Sequence, residues 1–358
     1  MQIKKTTKVA VGMSGGVDSS VSAALLKEQG YDVLGVFLHF WSESVSGKIR
    51  DNICCSLESQ EDARRVCQKL KIPFYTLNME TPFKEKIVDD FIEQYKNCRT
   101  PNPCVRCNKY IKFNALREKM RPLCIDYIAT GHYARIEKSG ARFALLKGKD
   151  EQKDQTYFLH QATQEQLAHT LFPIGNYFKS EVRALAKKFG LATASKKESQ
   201  EICFVADGET GEFLSRYIKF KKGKIADVSS GEVIGEHNGL PLYTIGQRKG
   251  IGLSGWPWYV AAADVQRNIL LVSRDEIKIY SSAAVIDEVN WIASVEPVLP
   301  LKANCRIRST AKEVGCLVRK NKIKSYCVDF VEEQRAVTVG QYCVFYDGDE
   351  CLGGGVIV

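Results

Sequence analysis

Over the first 205 positions, apolar residues fall in short unbroken runs separated by amphipathic stretches. KVAVG (8–12), VLGVFLHF (33–40), FYTL (74–77) and the segment 125–129 have the length and side chains of buried strands. Residues 19–29, 61–70, 83–95 and 110–119 repeat apolar positions every three or four, the period of a helix with one buried face. Gly30 is placed to end the first of these helices. Strands alternating with helices predict a parallel sheet covered on both faces. Near residue 205 the pattern changes to short β-branched segments broken by glycine, which predicts a small β-rich unit over 206–281. From 282 to the end, CRIRST, EVGCLVRK, SYCVDFV and RAVTVGQYCVFYDGDECLGGGVIV alternate strand with turn, as a small β-barrel does. The expected division is therefore 1–205, 206–281 and 282–358.

Composition narrows the class. A chain of 358 residues is long for one domain and has ample material for a core, with 44% hydrophobic and 26% charged residues. Met1 to Lys5 leads directly into the first strand with no secretion signal. No apolar run approaches the ~20 residues that span a bilayer. A cytoplasmic protein with no membrane partner is expected. The thirteen cysteines are odd in number and irregular in spacing. In a reducing compartment they form no disulfide scaffold, and most are expected to be small buried hydrophobes. The net charge of +9 resides in residues 1–205. That imbalance suits a polyanion such as RNA, although a basic surface also serves solubility.

The segment VAVGMSGGVDSS is strand, tight glycine loop and helix, a geometry that turns backbone N–H groups toward an anion. It lacks the Gly-Lys-Ser/Thr of a Walker loop and the G-x-G-x-x-G dinucleotide fingerprint. Ser14, Gly15, Gly16, Asp18 and Ser19 instead resemble the loop of the PP-loop ATP pyrophosphatases, which cleave ATP between the α and β phosphates and adenylate an oxygen of a second substrate. That resemblance implies ATP with Mg2+, and a role for Asp18 in holding the magnesium-bound pyrophosphate.

Two cysteines stand three apart in TPNPCVRCNKYIKF (100–113). Taken alone, Cys104 and Cys107 could be half a zinc site, with Cys98, Cys54 or Cys55 completing it, or a redox pair, or one reactive thiol beside a bystander. No second C-x-x-C exists, and no metal site is predicted. Further blocks occur in order along the chain: CCSLESQEDARRVC, ATGHYAR, KDQTYFL, FPIGNYFKSEVRALAKKFGLATA, KKESQEICFV and VGQYCVFYDGDECLGGGVI. Together with the two segments above they resemble the tRNA-specific 2-thiouridylases over essentially the whole length.

The resemblance implies a Rossmann-like α/β catalytic domain, a small central domain and a tRNA-contacting C-terminal barrel. It also implies replacement of the 2-oxygen of the wobble uridine by sulfur in tRNAs for Lys, Glu and Gln. Cys107 matches the family nucleophile and Cys203 the cysteine that carries the persulfide, which taken alone reads as a buried strand residue. The sulfur would come from a donor protein, either a sulfur-relay protein or a cysteine desulfurase. Arg106, Lys109 and Lys112 are candidates to lower the Cys107 thiol pKa.

Nucleotide contacts carried over are Gly12, Met13, Ser14, Gly15, Gly16, Val17, Asp18, Ser19, Leu38 and Gly131. Those to tRNA are Asn102, Pro103, Cys104, His132, Lys153, Asp154, Gln155, Arg306, Ile307 and Gln341. Several of these are unremarkable by themselves: Leu38 reads as core, His132 as structural, and Lys153 to Gln155 as a solvated loop. The chain departs from the family pattern at Asn97-Cys98, where glycine is common before Arg99, at Arg306-Ile307-Arg308-Ser309, and at Glu198 and Glu201. LHFW also lacks the Asn that often precedes this Trp. Two alternatives compete: an amide-forming or other PP-loop ATP-dependent ligase, and a zinc-stabilised RNA-binding protein without catalysis.

Overall fold

A computed structural model describes residues 7–45, 48–50, 56–196, 203–205, 209–255, 257–322 and 325–358, with backbone alone for 43–45, 48–50 and 322. Its first unit is the expected α/β layer structure. Among the described residues, five parallel strands lie in the order Phe74–Asn78, Asp32–His39, Lys8–Gly12, Tyr127–Ala129 and Thr170–Leu171. The central strand is buried on both faces, which is why KVAVG is uniformly apolar. Alternate side chains feed two separate cores. Ala10, Val36 and Leu38 pack on one face, and Val9, Val11 and Phe37 on the other.

The helix after the glycine loop spans Val17–Glu28. The helix expected at 61–70 starts earlier, at Leu57, because Ser56 caps it by accepting the Ser59 N–H. The two helices expected over 83–95 and 110–119 are longer and less regular than their periodicity suggests. The first runs as α-helix Glu80–Phe83, π-helix Lys84–Val88 and α-helix Asp89–Lys96. The second is α-helical over Pro103–Cys107, π-helical over Asn108–Ala115 and α-helical again over Leu116–Met120. Pro103 occupies the first helical position, where its missing N–H costs nothing. The helix expected over 110–119 thus begins earlier, at Pro103.

The central unit is a four-stranded sheet ordered Val233–His237, Gly223–Asp227, Ile269–Ser273 and Tyr259–Asp264. It has its own core of Ile225, Leu240, Ile251, Trp258, Val260, Leu270 and Val272. The C-terminal strands Tyr280–Trp291, Ser325–Arg335, Val314–Lys322, Leu301–Arg306, Tyr342–Asp347 and Glu350–Ile357 form the expected barrel. It closes where Ile286 pairs with Ile357 and Trp291 with Gly353.

The strand Thr170–Leu171, the helix Lys179–Lys188 and a hairpin lie outside the sequence expectations. The hairpin Ala134–Ser139 and Arg142–Lys147, turning at Gly140, leaves the first unit and joins the barrel sheet. Leu146 pairs with Glu350 and Leu145 with Cys351. Local alternation predicts strands but not which distant edge receives them.

Candidate functional site

The glycine loop leaves the central strand at Gly12 and enters the helix at Val17. Gly15 has φ +71°, and a β-carbon there would lie 2.3 Å from the Ser59 carbonyl oxygen, so this position admits only glycine. The Ser14 N–H donates to Ser19 Oγ at 3.2 Å. The Ser20 hydroxyl donates to the Gly16 carbonyl at 2.7 Å. Gly131, beyond the end of Tyr127–Ala129, comes so close that a β-carbon would sit 2.7 Å from the Ser19 nitrogen.

These pieces enclose a cavity of about 370 Å³. Every residue from Gly12 to Ser19 lines it, together with Leu38, Phe40, Ser59 and Gly131 to Tyr133. Leu38 and Phe40, 7% and 8% exposed, form an apolar wall suited to a flat base. The opposite character comes from Lys112, Lys153, Lys179 and Lys196, against Asp18 as the lining carboxylate. Four ammonium groups and a loop of inward-facing amides favour a polyphosphate. Asp18 accepts Lys179 Nζ at 2.7 and 2.8 Å and the Tyr133 hydroxyl at 2.9 Å. Lys196 is held by Asp62 at 2.5 Å. Magnesium is typically held by one or two carboxylates plus substrate phosphates, and Asp18 beside a polyphosphate site fits that donor set.

Sequence reasoning selected the loop but passed over Tyr133, Lys179, Lys196 and Ser59. Lys179 carried a readable signal. It opens the helix Lys179–Lys188, where the helix dipole disfavours a cation. Such a lysine calls for an anionic partner, here Asp18. His132 lines the same cavity, 8% exposed, with Nδ1 2.7 Å from Thr130 Oγ1. Burial, and then the Lys112 charge, hold its pKa well below the usual imidazole range, so the ring is neutral at physiological pH.

Cys107 ends the α-helical turn Pro103–Cys107 and is 5% exposed. It belongs to the apolar cluster of Phe83, Ile87, Phe91, Ile111, Phe204 and Phe213. Cys203 is half-buried and packs against that same cluster. The ring of its neighbour Phe204 meets Phe91 at 5.1 Å, Phe83 at 5.7 Å and Phe213 at 5.8 Å. The fold thus anchors both thiol-bearing segments in one core. Cys104 is half-exposed on the first turn of the Cys107 helix.

Among the three cations near Cys107, Arg106 pairs with Asp90 at 3.0 Å and Lys109 donates to Gln161 at 3.0 Å. Lys112 faces the nucleotide cavity. Among the described residues no group of three or more His, Cys, Asp or Glu side chains is arranged to hold a metal. Cys54 and Cys55, together with Glu198 and Glu201, lie outside the described residues. Cys98 packs against the central-domain core in left-handed backbone, φ +55°, the conformation that glycine adopts freely. Cys67, Cys305, Cys316, Cys343 and Cys351 are buried, as small hydrophobes are, and burial pushes the Cys67 thiol up to about 12.

The residues expected at tRNA are divided by the fold. Asn102 and the buried Pro103 begin the Cys107 helix. Lys153 and Gln155 line the nucleotide cavity. Asp154 points inward with its side chain 0% exposed and takes Arg306 Nη1 at 2.8 Å. Ile307 is inside the barrel core. Gln341 Nε2 donates to the Thr100 carbonyl at 2.9 Å.

The fold agrees with what the chain resembles. Three family models match in chain order: a tRNA methyl transferase HUP domain over 7–207, a tRNA methyl transferase PRC-barrel domain over 211–274 and an aminomethyltransferase beta-barrel domain over 281–357. A tRNA-specific 2-thiouridylase MnmA of Symbiobacterium thermophilum is 50% identical over 359 residues, covering 98% of this chain and 92% of that protein. The protein of the same name from Clostridium botulinum strain Alaska E43 is 46% identical, covering 98% and 97%. That of Geobacillus thermodenitrificans is 45% identical, covering 98% and 94%. No helix among the described residues is long and apolar enough to cross a membrane.

Proposed function

Because the chain belongs to the tRNA-specific 2-thiouridylase family, we propose that it uses ATP to replace the 2-oxygen of the wobble uridine by sulfur in tRNAs for Lys, Glu and Gln. In this reading residues 1–205 carry the chemistry, 206–281 form a central domain, and 282–358 a barrel that contacts the tRNA. One observation carries it. The continuous helix that bears Cys107 also contributes Lys112 and Leu116 to the wall of the nucleotide cavity. Cys107 and Lys112 are five residues apart on this helix, little more than one turn.

The loop amides of Gly12 to Ser19 and the four lysines bind ATP, with the adenine against Leu38 and Phe40. Asp18 is the carboxylate that would hold magnesium, which would offset the charge of the phosphates. The uracil O2 attacks the α phosphorus, pyrophosphate leaves, and C2 acquires AMP as its leaving group. The oriented amides and ammonium groups stabilise the charge that develops on the phosphates.

Sulfur arrives as the terminal atom of a persulfide on Cys203, delivered by a relay protein or a cysteine desulfurase. Cys107 either frees sulfide from it, which attacks C2, or resolves the mixed disulfide formed when the persulfide attacks C2 itself. Both routes expel AMP, leave 2-thiouridine and end in a Cys107–Cys203 disulfide that a reductant of two electrons resets. Neutral His132 at the end of its strand and the segment Asn102 to Cys104 face the extruded base. Flipping a loop base from its stack costs a few kcal/mol.

Single-turnover reaction of wobble-uridine tRNA with ATP and a persulfide donor tests this. It yields 2-thiouridine and AMP in equal amounts, and Cys107→Ser or Cys203→Ser abolishes persulfide-dependent product. Absence of 2-thiouridine from the wild type overturns the reading. Full activity of Cys107→Ser on a different adenylated acceptor points to an amide-forming ligase instead.

A further inference from the structure

The segment Lys153 to Gln155 stands between two bodies. On one side, Lys153 and Gln155 line the nucleotide cavity, and Gln155 Oε1 accepts the Tyr133 backbone N–H at 3.0 Å. Tyr133 in turn donates its hydroxyl to Asp18 in the phosphate loop at 2.9 Å. On the other side, the Asp154 carboxylate accepts the Thr156 N–H at 3.2 Å, the Thr156 hydroxyl at 2.8 Å and the Gly148 N–H at 3.3 Å. Its remaining partner is Arg306 Nη1 at 2.8 Å. Arg306 closes the barrel strand Leu301–Arg306, and its second arm is held by Glu313 at 2.6 Å.

Arg306 and Asp154 are 13% and 0% exposed, so this is no surface ion pair of marginal worth. Withdrawing one partner leaves a buried charge uncompensated. The two residues that flank Asp154 both face the cavity, so whatever anchors Asp154 sets where they stand. The pair is also turned away from solvent, where an RNA phosphate would have to meet it.

We propose that Asp154 and Arg306 are positioning residues for the nucleotide site, through which the barrel sets the Lys153–Gln155 segment, Tyr133 and Asp18 for ATP. The proposal rests on reading the cavity as the ATP site. It makes ATP affinity depend on a barrel residue even when no RNA is present.

The test uses the full-length protein. Binding of Mg·ATP is measured by calorimetry without RNA, and KM is measured separately for ATP and for tRNA. Arg306→Lys keeps the charge and loses the two-armed fork. It weakens ATP binding about tenfold with no RNA present and raises KM for ATP. Tyr133→Phe, which cuts the same path at its other end, also weakens ATP binding, and the double variant loses less than the product of the two. Where Arg306→Lys does not fold, Asp154→Asn carries the same comparison. Wild-type ATP affinity in a folded Arg306→Lys, or a rise confined to KM for tRNA, overturns the proposal. Failure of the wild type to bind ATP overturns the nucleotide reading of the cavity, and the proposal with it.

Discussion

His160 shows how a single buried residue ties the thiol helix to the barrel. It is 0% exposed, its Nδ1 lies 2.7 Å from the Tyr157 carbonyl, and its ring centroid is 4.8 Å from that of Tyr342. Its backbone carbonyl accepts Asn290 Nδ2, and the next residue, Gln161, accepts Lys109 and donates to the Gly354 carbonyl. Burial lowers the imidazole pKa to about 4, the Tyr157 carbonyl opposing that shift and the Lys109 charge adding to it. The unfolded chain therefore takes up a proton near pH 6.5 that the folded chain refuses until about pH 4. Stability is complete above pH 6.5 and declines as pH falls through that window. Between pH 6.5 and 5 this site alone costs about 2 kcal/mol. Urea denaturation at pH 7 and pH 5 measures the decline, and His160→Phe makes it shallower. An equal decline in the variant assigns it to other groups.

At the scale of elements, the helix from Pro103 to Met120 is the part with the least regular geometry. Its π-helical stretch Asn108–Ala115 begins immediately after Cys107. A π segment holds one residue more than the α-helix it interrupts, and such insertions are frequent at functional sites. Cys107 and Leu116 both pack in the apolar cluster across this stretch, and Lys112 and Leu116 also line the cavity. Deleting the exposed Asn114 removes one residue from the π segment and shifts Leu116 and the helix beyond it against Cys107. Thiolation then falls by at least two orders of magnitude in a protein that still folds, as checked by circular dichroism and single-turnover assay. Retained turnover shows that the register of Cys107 is unimportant.

In the whole molecule, the three units meet at the residues that precede the thiol helix. The Thr100 N–H donates to the Val339 carbonyl at 2.9 Å, and its carbonyl accepts Gln341 Nε2. Its hydroxyl lies 3.2 Å from that of Thr244 in the central unit. Gly340, with φ +93°, allows this contact, since a β-carbon would come 3.0 Å from the Thr100 backbone. Gly340→Ala adds strain of about 1–3 kcal/mol and displaces the segment proposed to face the target base. The expected result is a lower kcat for thiolation with the affinity for ATP unchanged. Equal losses in both place the effect in general stability rather than at this seam. The seam also accounts for Gln341, whose side chain holds Thr100 in place.

The amino-acid sequence by itself determined the strand, glycine loop and helix at residues 8–28, because glycine φ angles, helix caps and apolar periods are local properties. The parallel layer and the change to β structure near 205 followed from the same local patterns. The roles proposed for Cys107 and Cys203 rest only on resemblance to a family, since an isolated thiol looks like any buried cysteine. Tertiary structure alone decided which lysines face the phosphate loop, that Asp154 and Arg306 turn inward to each other, and that the hairpin from Ala134 joins the barrel. Those outcomes depend on burial and on pairing between residues more than a hundred positions apart. A charge is spent on an internal partner or offered to a ligand according to what surrounds it, and a one-dimensional pattern carries no record of that surrounding.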